Sequence, residues 1–338
     1  MLPKQAKKNY LCSQIEKRKT MKHTNPQVEQ MTSFIVMDVL ERANELQKQG
    51  IDIIHLEVGE PDFDVPACVA EAAKAAYDRH LTHYTHSLGA DTIWLNTVLY
   101  NNHPIESFNG INIIGQRPSD VSKYDDKYYT NNYLRNLGFP VVKGVLLNKE
   151  SKYNGDFPCV IKPVRGRGSQ GVVKCCSAEE LYSALKNLID SGIYGDEMIV
   201  EPFLDGKEIT ISVLPNGTCL PVVERFNHCN GIAPYNGVVA VSKNSRAILK
   251  NNESLNKISK ACSKAVISMD LKALVRIDCR ENIHGEYEMF DFNLKPNMTG
   301  AVRPHRLDQD SLTMIAASAV GWSFYDLLNE LIQTKWQL

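Results

Sequence analysis

The chain has 338 residues, of which 43% are hydrophobic and 23% are charged, and its formal net charge is -1 at pH 7. These values are typical of a globular protein with room for about two or three domains, and they lack the basic excess that would favour a nucleic acid partner. No apolar run approaches about 18 residues and no signal peptide is visible, so we predict a cytoplasmic protein without a membrane partner. The 9 cysteines show no paired metal spacing, which predicts no zinc site.

The N-terminal segment is basic and is followed by a pattern of helix, strand and helix. Lysine and arginine are in excess at the start of the chain. We therefore predict that residues 1–30 form a disordered tail, with a functional basic arm as the alternative. Apolar spacing over 33–48 predicts a helix that ends at Gly50. The run IDIIHLEV at 51–58 predicts a buried strand, and an alanine-rich helix follows it.

The same segment carries the motifs VGEPDFDVP and THYTHSLG. On these motifs, residues 34–89 resemble the N-terminal arm of a class I pyridoxal-phosphate aminotransferase. The resemblance implies that Gly59 lies near a substrate carboxylate and that Tyr84 reaches the cofactor phosphate of a neighbouring subunit. The family's Schiff-base lysine cannot be placed, and without it the cofactor cannot be held covalently. We therefore predict an appended helix-strand-helix arm over residues 31–90, with no functional pyridoxal phosphate.

Residues 91–147 predict alternating short elements. Residues 91–115 give a strand, a loop and a second strand, after which Pro118 breaks the pattern. A helix of about ten residues then follows the Asp126 region and ends at Gly138. The run VVKGVLL at 141–147 predicts another strand.

The stretch FPCVIKPVRGRGSQGV, residues 157–172, combines an apolar strand with a glycine-rich loop. The strand delivers Lys162 to a turn that contains Gly166, Gly168 and Gly171. Glycines let backbone N–H groups approach phosphate oxygens, and the lysine supplies a point charge to the same group. The spacing matches neither the P-loop nor the dinucleotide motif. It favours nucleotide binding between two strands, although glycine-rich hairpins also occur without a ligand.

The rest of the chain alternates strands and helices. Ser177 and Glu180 form a predicted capping box at the start of a helix. The remaining predicted elements are two strands around the Leu-Asp-Gly turn near 204–206, a loop over 227–252, a helix over 254–269, a hairpin through 282–285, and helices near 311–320 and 323–333.

Three oxygen-bearing side chains fall on the last hairpin. Asp291 and Asn293 are two positions apart, so they share a strand face, and the hairpin sets them opposite Asp278. An all-oxygen cluster suits Mg²⁺, and buried like charges need a cation. A solvated alternating strand is the structural alternative.

Taken in order, the motifs YDDKYYTNNYL, VIKPVRGRGSQGV, IVEPFLDGKE, VRIDC and FDFN resemble those of the ATP-grasp superfamily, in its D-alanine-D-alanine ligase branch. The resemblance covers residues 91–338. It implies an α/β (α+β) ATP-grasp fold, with two α+β subdomains clasping ATP over residues 121–338 and a small lid subdomain at about 141–205. Residues 91–120 would be the remnant of a truncated N-terminal α/β region.

The resemblance also implies nucleotide contacts, position by position. Lys127 and Lys162 match the two phosphate-binding lysines. Glu201 matches the carboxylate that accepts from the adenine amino group, and Glu208 matches the carboxylate that holds the ribose hydroxyls. The remaining matches are the backbone at Phe203 and Leu204 for the adenine ring edge, and a flexible loop over the phosphates formed by Gly166, Arg167, Gly168, Ser169, Gln170 and Gly171.

The implied catalytic and metal positions lie further along the chain. Arg276 matches the arginine beside the transferring phosphate, and Asp278, Asp291 and Asn293 match the metal ligands. Arg303 is our candidate for gripping a substrate carboxylate, with a surface arginine near a turn as the alternative. Asp291 stands where the family usually has glutamate.

These positions imply an ATP-dependent carboxylate-amine ligase that joins amino-acid-type substrates through an acyl phosphate and releases ADP and phosphate. The implied cofactors are ATP and one or two Mg²⁺ ions, with Mn²⁺ as an alternative. Two other hypotheses stay open: a fusion protein that binds nucleotide without ligating, and an interaction partner of an aminotransferase. A homodimer is a further possibility.

Overall fold

The computed structural model describes residues 46–50, 71, 74, 92–95, 99–166, 168–234, 241–250, 252–301 and 309–337. The chain divides into two compact units, Met1–His86 and Ser87–Leu338. In the first unit, residues 46–48 are helical and Gly50 has a φ of 87°, so the predicted helix end is confirmed. The predicted basic tail, the strand at 51–58 and nearly all of the aminotransferase-like arm lie outside the described residues.

The second unit contains six α-helices and twelve strands among its described residues. The helices are α1 (Pro118–Tyr124), α2 (Lys127–Asn136), α3 (Ala178–Asp190), α4 (Glu253–Ser268), α5 (Leu312–Ser318) and α6 (Phe324–Gln333). The strands are β1 (Thr92–Trp94), β2 (Asn112–Ile114), β3 (Val145–Leu147), β4 (Cys159–Pro163), β5 (Val173–Cys175), β6 (Met198–Pro202), β7 (Glu208–Val213), β8 (Val223–Arg225), β9 (Ser245–Ala247), β10 (Val275–Glu281), β11 (Tyr287–Asn293) and β12 (Trp336–Gln337). No helix of the described chain is long and apolar enough to cross a membrane.

A five-stranded antiparallel sheet, in the order β11-β10-β7-β8-β9, forms the larger platform. Alternate residues of β7, such as Ile209 and Ile211, are fully buried in a core shared with Ile258 and Cys262 of α4. The other face of β7 carries the polar residues Glu208, Thr210 and Ser212, because side chains alternate along a strand. The hairpin of β10 and β11 is confirmed.

A four-stranded antiparallel sheet, in the order β3-β6-β4-β5, forms a second layer and packs on α3. The side chain of Ser177 caps α3 by accepting from the backbone N–H of Glu180. The capping box is only half as predicted, since the Glu180 carboxylate accepts from the N–H of Cys176, at 2.7 Å. The two strands around the Leu-Asp-Gly turn, β6 and β7, belong to different sheets, so this turn connects the two layers.

A small three-stranded sheet, in the order β1-β2-β12, completes the unit. β1 and β2 are parallel, and β12 pairs antiparallel with β2. Neither β12, nor β9 within the predicted loop at 227–252, was expected from the sequence. Helix α1 was also missed, because Pro118 occupies its first turn, where the missing N–H costs nothing. Helix α2, capped by Asp126, and the two terminal helices are confirmed.

Candidate active site

A cleft with an empty volume of about 870 Å³ lies between the four-stranded and five-stranded sheets. Its walls combine apolar residues with charged side chains of both signs. The glycine-rich loop contributes Gly166, Gly168, Ser169 and Gln170. The charged side chains of the lining are Lys127, Lys162, Glu201, Glu208, Arg225, Asp278, Arg280 and Asp291. Eight charges around one concave surface mark this cleft as the candidate site.

Three rows of polar side chains, together called the floor, run across neighbouring strands of the larger sheet, and residues of the first two rows line the cleft. Each row is set by strand register, and successive rows are two residues apart, which is about 7 Å along a strand. The first row is Arg280–Glu208–Arg225, the second is Asp291–Asp278–Thr210, and the third is Asn293–Arg276–Ser212.

Asp278 is the most heavily bonded carboxylate of the floor. Arg276 donates to both of its oxygens through Nε and Nη2, each at 3.0 Å, and the Thr210 hydroxyl donates at 2.6 Å. Asn293 Nδ2 adds a fourth bond at 3.1 Å. Burial by itself would raise the pKa of Asp278, but the charge and hydrogen bonds of Arg276, the Arg225 charge and the Thr210 hydroxyl hold it below its usual value. These contacts therefore favour the charged form of Asp278.

A β-bulge in β11 ties the platform to the opposite layer. Asp278 of β10 pairs with Asp291, but the next residue, Cys279, pairs with Met289. The register therefore shifts by one residue, and Phe290 is left without a partner on β10. The freed carbonyl oxygen of Phe290 accepts from Lys162 Nζ of β4 at 2.9 Å. The predicted phosphate lysine thus bridges the two sheets across the cleft.

Lys162 also forms a buried ion pair with Glu201 of β6. Their Nζ and Oε2 atoms are 2.6 Å apart, and their side chains are 6% and 5% exposed. The other oxygen of Glu201 accepts from Asn131 Nδ2 of α2 at 3.0 Å. Burial raises the pKa of Glu201, and Lys162 opposes that rise. The carboxylate predicted to meet adenine is therefore already engaged by two protein donors.

Lys127 lies at the first position of α2 and pairs with Asp291 of β11, with 2.8 Å between Nζ and Oδ1. Its backbone N–H donates to the carbonyl of Val164, beside the glycine-rich loop. Both predicted phosphate lysines are thus held by carboxylates on the cleft wall. They are positioned before any ligand binds.

The glycine-rich loop has backbone angles that need glycine. Gly168 and Gly171 have φ values of 65° and 72°. A Cβ on Gly171 would lie 2.8 Å from Pro163 Cγ, so the close turn also requires the missing side chain.

Phe203 and Leu204, which follow β6, also line the cleft. Two cations flank the Phe203 ring: Lys174 Nζ is 3.8 Å and Arg280 Cζ is 4.7 Å from its centroid. Arg280 Nε also donates to the backbone carbonyl of Gly206 at 3.1 Å. Gly206 lies in the turn that joins the two sheets.

Side-chain oxygens of the second and third rows are suitable ligands for a hard cation. Asp278 and Asp291 are direct cross-strand partners, and Asn293 follows on the same face of β11. Two carboxylates and an amide suit Mg²⁺, which prefers oxygen ligands. Among the described residues no cluster of three His, Cys, Asp or Glu side chains is suited to a metal.

The structure brings together nearly every predicted site residue. Apart from Gly171, the described members of the predicted set line the cleft or form a hydrogen bond with a residue that does. Arg167 and Arg303 lie outside the described residues, so their roles stay predictions. Sequence reasoning missed Asn131, Arg225 and Arg280. The alternation in VRIDCR puts position 280 on the face of 276 and 278, and this signal could have found Arg280.

Two sheets clasping a charged cleft, with a glycine-rich loop over it, define an ATP-grasp fold. Solved structures share this architecture. The crystal structure of D-alanine-D-alanine ligase from Bacillus anthracis complexed with ATP is 24% identical, with a TM-score of 0.54, and the match covers 68% of this chain and 72% of that one.

Sequence comparisons define the family. Residues 133–333 match the family described as the D-ala D-ala ligase C-terminus, so the chain belongs to this family of ligases that form C–N bonds. The D-alanine-D-alanine ligase of Aquifex aeolicus is 29% identical over 214 residues, which are 61% of this chain and 68% of the relative. D-alanine-D-alanine ligase A of Bacillus cereus is 28% identical over 236 residues, 67% of this chain and 72% of the relative.

Proposed function

We propose that this protein is an ATP-dependent ligase that joins the carboxylate of one amino acid to the amine of another, with ADP and phosphate as the other products. One observation carries the proposal: two lysines from different elements, Lys127 and Lys162, converge on a floor of metal-suited oxygens beneath a glycine-rich loop. Carboxylates are poor electrophiles, so the reaction needs an acyl phosphate. A cleft that binds phosphates and a cation is suited to make one.

The charged residues divide this work. Lys162, Lys127 and the loop backbone would bind and orient the triphosphate, and Arg276 would offset negative charge that develops beside the second row. The residues Asp278, Asp291 and Asn293 would hold Mg²⁺. The ion, when bound, would supply positive charge to the phosphate oxygens. The apolar wall at Phe203 and Leu204 would receive the adenine ring.

The substrate class follows from the relatives. The proteins of Aquifex aeolicus and Bacillus cereus are named for D-alanine, so a D-amino acid is the first candidate for both substrates. Arg303 stays our candidate for the substrate carboxylate. A reaction that consumes ATP is also in keeping with the cytoplasmic location predicted above.

A phosphate-release assay tests the proposal. Purified protein with ATP and Mg²⁺ is given single amino acids and pairs, beginning with D-alanine, and hydroxylamine is added in parallel to trap the acyl phosphate as a hydroxamate. We expect phosphate release that depends on an amino acid, together with hydroxamate formation. Tight ATP binding without either product would contradict the ligase and favour a nucleotide-binding protein that does not ligate.

A further inference from the structure

Arg225 of β8 is a buried arginine with two guanidinium nitrogens that have no hydrogen-bond partner among the described residues. Its side chain is only 7% exposed, and its Nη1 lies 3.4 Å from Glu208 Oε1. Its Nε and Nη2 atoms, which form the fork that binds carboxylates and phosphates side-on, are buried and have no hydrogen-bond partner among the described residues. The equivalent forks of Arg117 and Arg276 are both filled, by Asp120 and Asp278.

A purely structural role does not explain this side chain. A buried donor without a partner destabilises the folded state, and an apolar residue of similar size would fill the same space without that penalty. Arg225 is also only one of three described side chains close to the Glu208 carboxylate. Glu208 Oε2 lies 2.9 Å from His228 Nε2 and 3.7 Å from Arg280 Nη1. The unpaired fork therefore points to a partner that is bound from outside the chain.

The position of Arg225 in the cleft indicates which part of a ligand it meets. It lies in the first row, directly across from Glu208, and the second row with the proposed metal ligands is about 7 Å away along the strands. The phosphates would lie over the second row and the adenine near Phe203. The segment between them, at the level of Glu208 and Arg225, is the ribose.

A ribose diol needs both kinds of partner. Each hydroxyl donates one hydrogen bond and accepts others, so a carboxylate and a guanidinium side by side satisfy it completely. Glu208 supplies the acceptor, and the free edge of Arg225 supplies the donors. Nε and Nη2 of Arg225 are buried in the structure. To reach the diol, the guanidinium must therefore turn toward the cleft that Arg225 already lines.

We propose that Arg225 binds the vicinal diol of the nucleoside triphosphate together with Glu208, and that it sets the preference of the cleft for ribonucleotides over deoxyribonucleotides. The inference rests on the proposed function, because it assumes that the cleft binds ATP. It adds a sugar-binding donor to a row for which the family resemblance implied only the carboxylate.

The test compares ATP, 2′-deoxy-ATP and 3′-deoxy-ATP by titration calorimetry, without amino acids, on the full-length chain. The variants are Arg225→Met, Arg225→Lys and the control Arg246→Met. Arg246 lies on the neighbouring strand β9, is 71% exposed and pairs with Glu224 outside the cleft lining. Melting temperatures without nucleotide establish that each variant is folded.

We expect the wild type and Arg246→Met to bind ATP about tenfold or more tightly than 2′-deoxy-ATP, which lacks the hydroxyl that distinguishes a ribonucleotide. In Arg225→Met, ATP affinity should fall to that of this analogue, while the analogue's own affinity stays nearly unchanged. Arg225→Lys, which keeps the charge but not the fork, should retain part of the preference.

An unchanged ratio between the affinities for ATP and 2′-deoxy-ATP in folded Arg225→Met would overturn the inference, as would an equal loss for all three nucleotides. If Arg225→Met does not fold, the same comparison in Arg225→Lys decides the matter, since an undiminished preference there would contradict a role for the fork. A wild type that binds none of the three nucleotides would instead overturn the proposed function, and this inference with it.

Discussion

At the scale of single residues, Lys162 is the most consequential side chain, because it joins two sheets and neutralises a buried carboxylate. Replacing it with alanine leaves Glu201 buried with Asn131 as its remaining partner. Losing one member of such a pair costs about 3–5 kcal/mol, so the variant should be less stable as well as defective in binding.

We therefore expect Lys162→Ala to lower the free energy of unfolding by about 3 kcal/mol and to weaken ATP binding about tenfold or more. The double variant Lys162→Ala/Glu201→Gln should recover most of the stability, since no buried charge is left, but not the affinity. Urea unfolding and calorimetry measure the two effects. Lys149→Ala, which removes an exposed pair with Asp190, is the control. Wild-type ATP affinity in the double variant would contradict a phosphate-binding role for Lys162.

The proposed metal ligands give a second prediction at this scale. The double variant Asp291→Asn/Asn293→Ala should lower magnesium-dependent turnover by about two to three orders of magnitude. The reason is that Mg²⁺, which would stabilise the phosphoryl group during its transfer, loses two of its proposed ligands. Affinity for ADP without magnesium should change little, since adenine and ribose are bound elsewhere in the cleft. Turnover and ADP titrations are compared with Glu286→Gln, an exposed change outside the cleft. Full turnover in the double variant would show that this hairpin is merely structural.

At the scale of elements, two of the glycines in the glycine-rich loop differ in how well their positions would accept a side chain. Gly171 has a φ of 72° and no room for a Cβ beside Pro163, whereas a Cβ on Gly166 would meet its nearest neighbour at an ordinary 3.4 Å. We expect Gly171→Ala to lower the free energy of unfolding by about 1–3 kcal/mol and Gly166→Ala to change it by less than about 0.5 kcal/mol.

Chemical denaturation without nucleotide measures both loop variants, and the matched pair controls for the Gly-to-Ala change itself. ATP titration adds a second readout. If the loop backbone approaches the phosphates at Gly166, its alanine variant should bind ATP more weakly despite its normal stability. Equal stability of the two variants would contradict the strained turn.

At the scale of the whole molecule, every residue of the cleft lies in the compact unit Ser87–Leu338. We expect a chain that begins at Ser87 to keep ATP affinity within about twofold of the full-length protein, because the described residues that line the cleft all belong to this unit. We also expect no imine absorption band of pyridoxal phosphate in the full-length protein. Loss of ATP binding in folded, truncated protein, or a bound cofactor with that band, would contradict this division of the chain.

The sequence by itself determined the local chemistry of the site. Strand alternation placed Asp291 and Asn293 on one face, and the hairpin of β10 and β11 set Asp278 opposite them, as the structure has it. The caps Asp126 and Ser177 marked two helix starts correctly. These features could be predicted because each depends on residues within one element or one short turn, where side-chain periodicity and capping chemistry act.

Tertiary structure alone decided how distant elements meet. The pairing of Arg225 with Glu208 depends on the register between β7 and β8, and the partner of Lys162 depends on a bulge that frees the carbonyl of Phe290. Strand β12 exists because β2 offers it an open edge. Register, bulges and edge pairing are settled by packing between segments far apart in sequence, so no local pattern encodes them. The three rows of the cleft floor are therefore a property of the folded sheet.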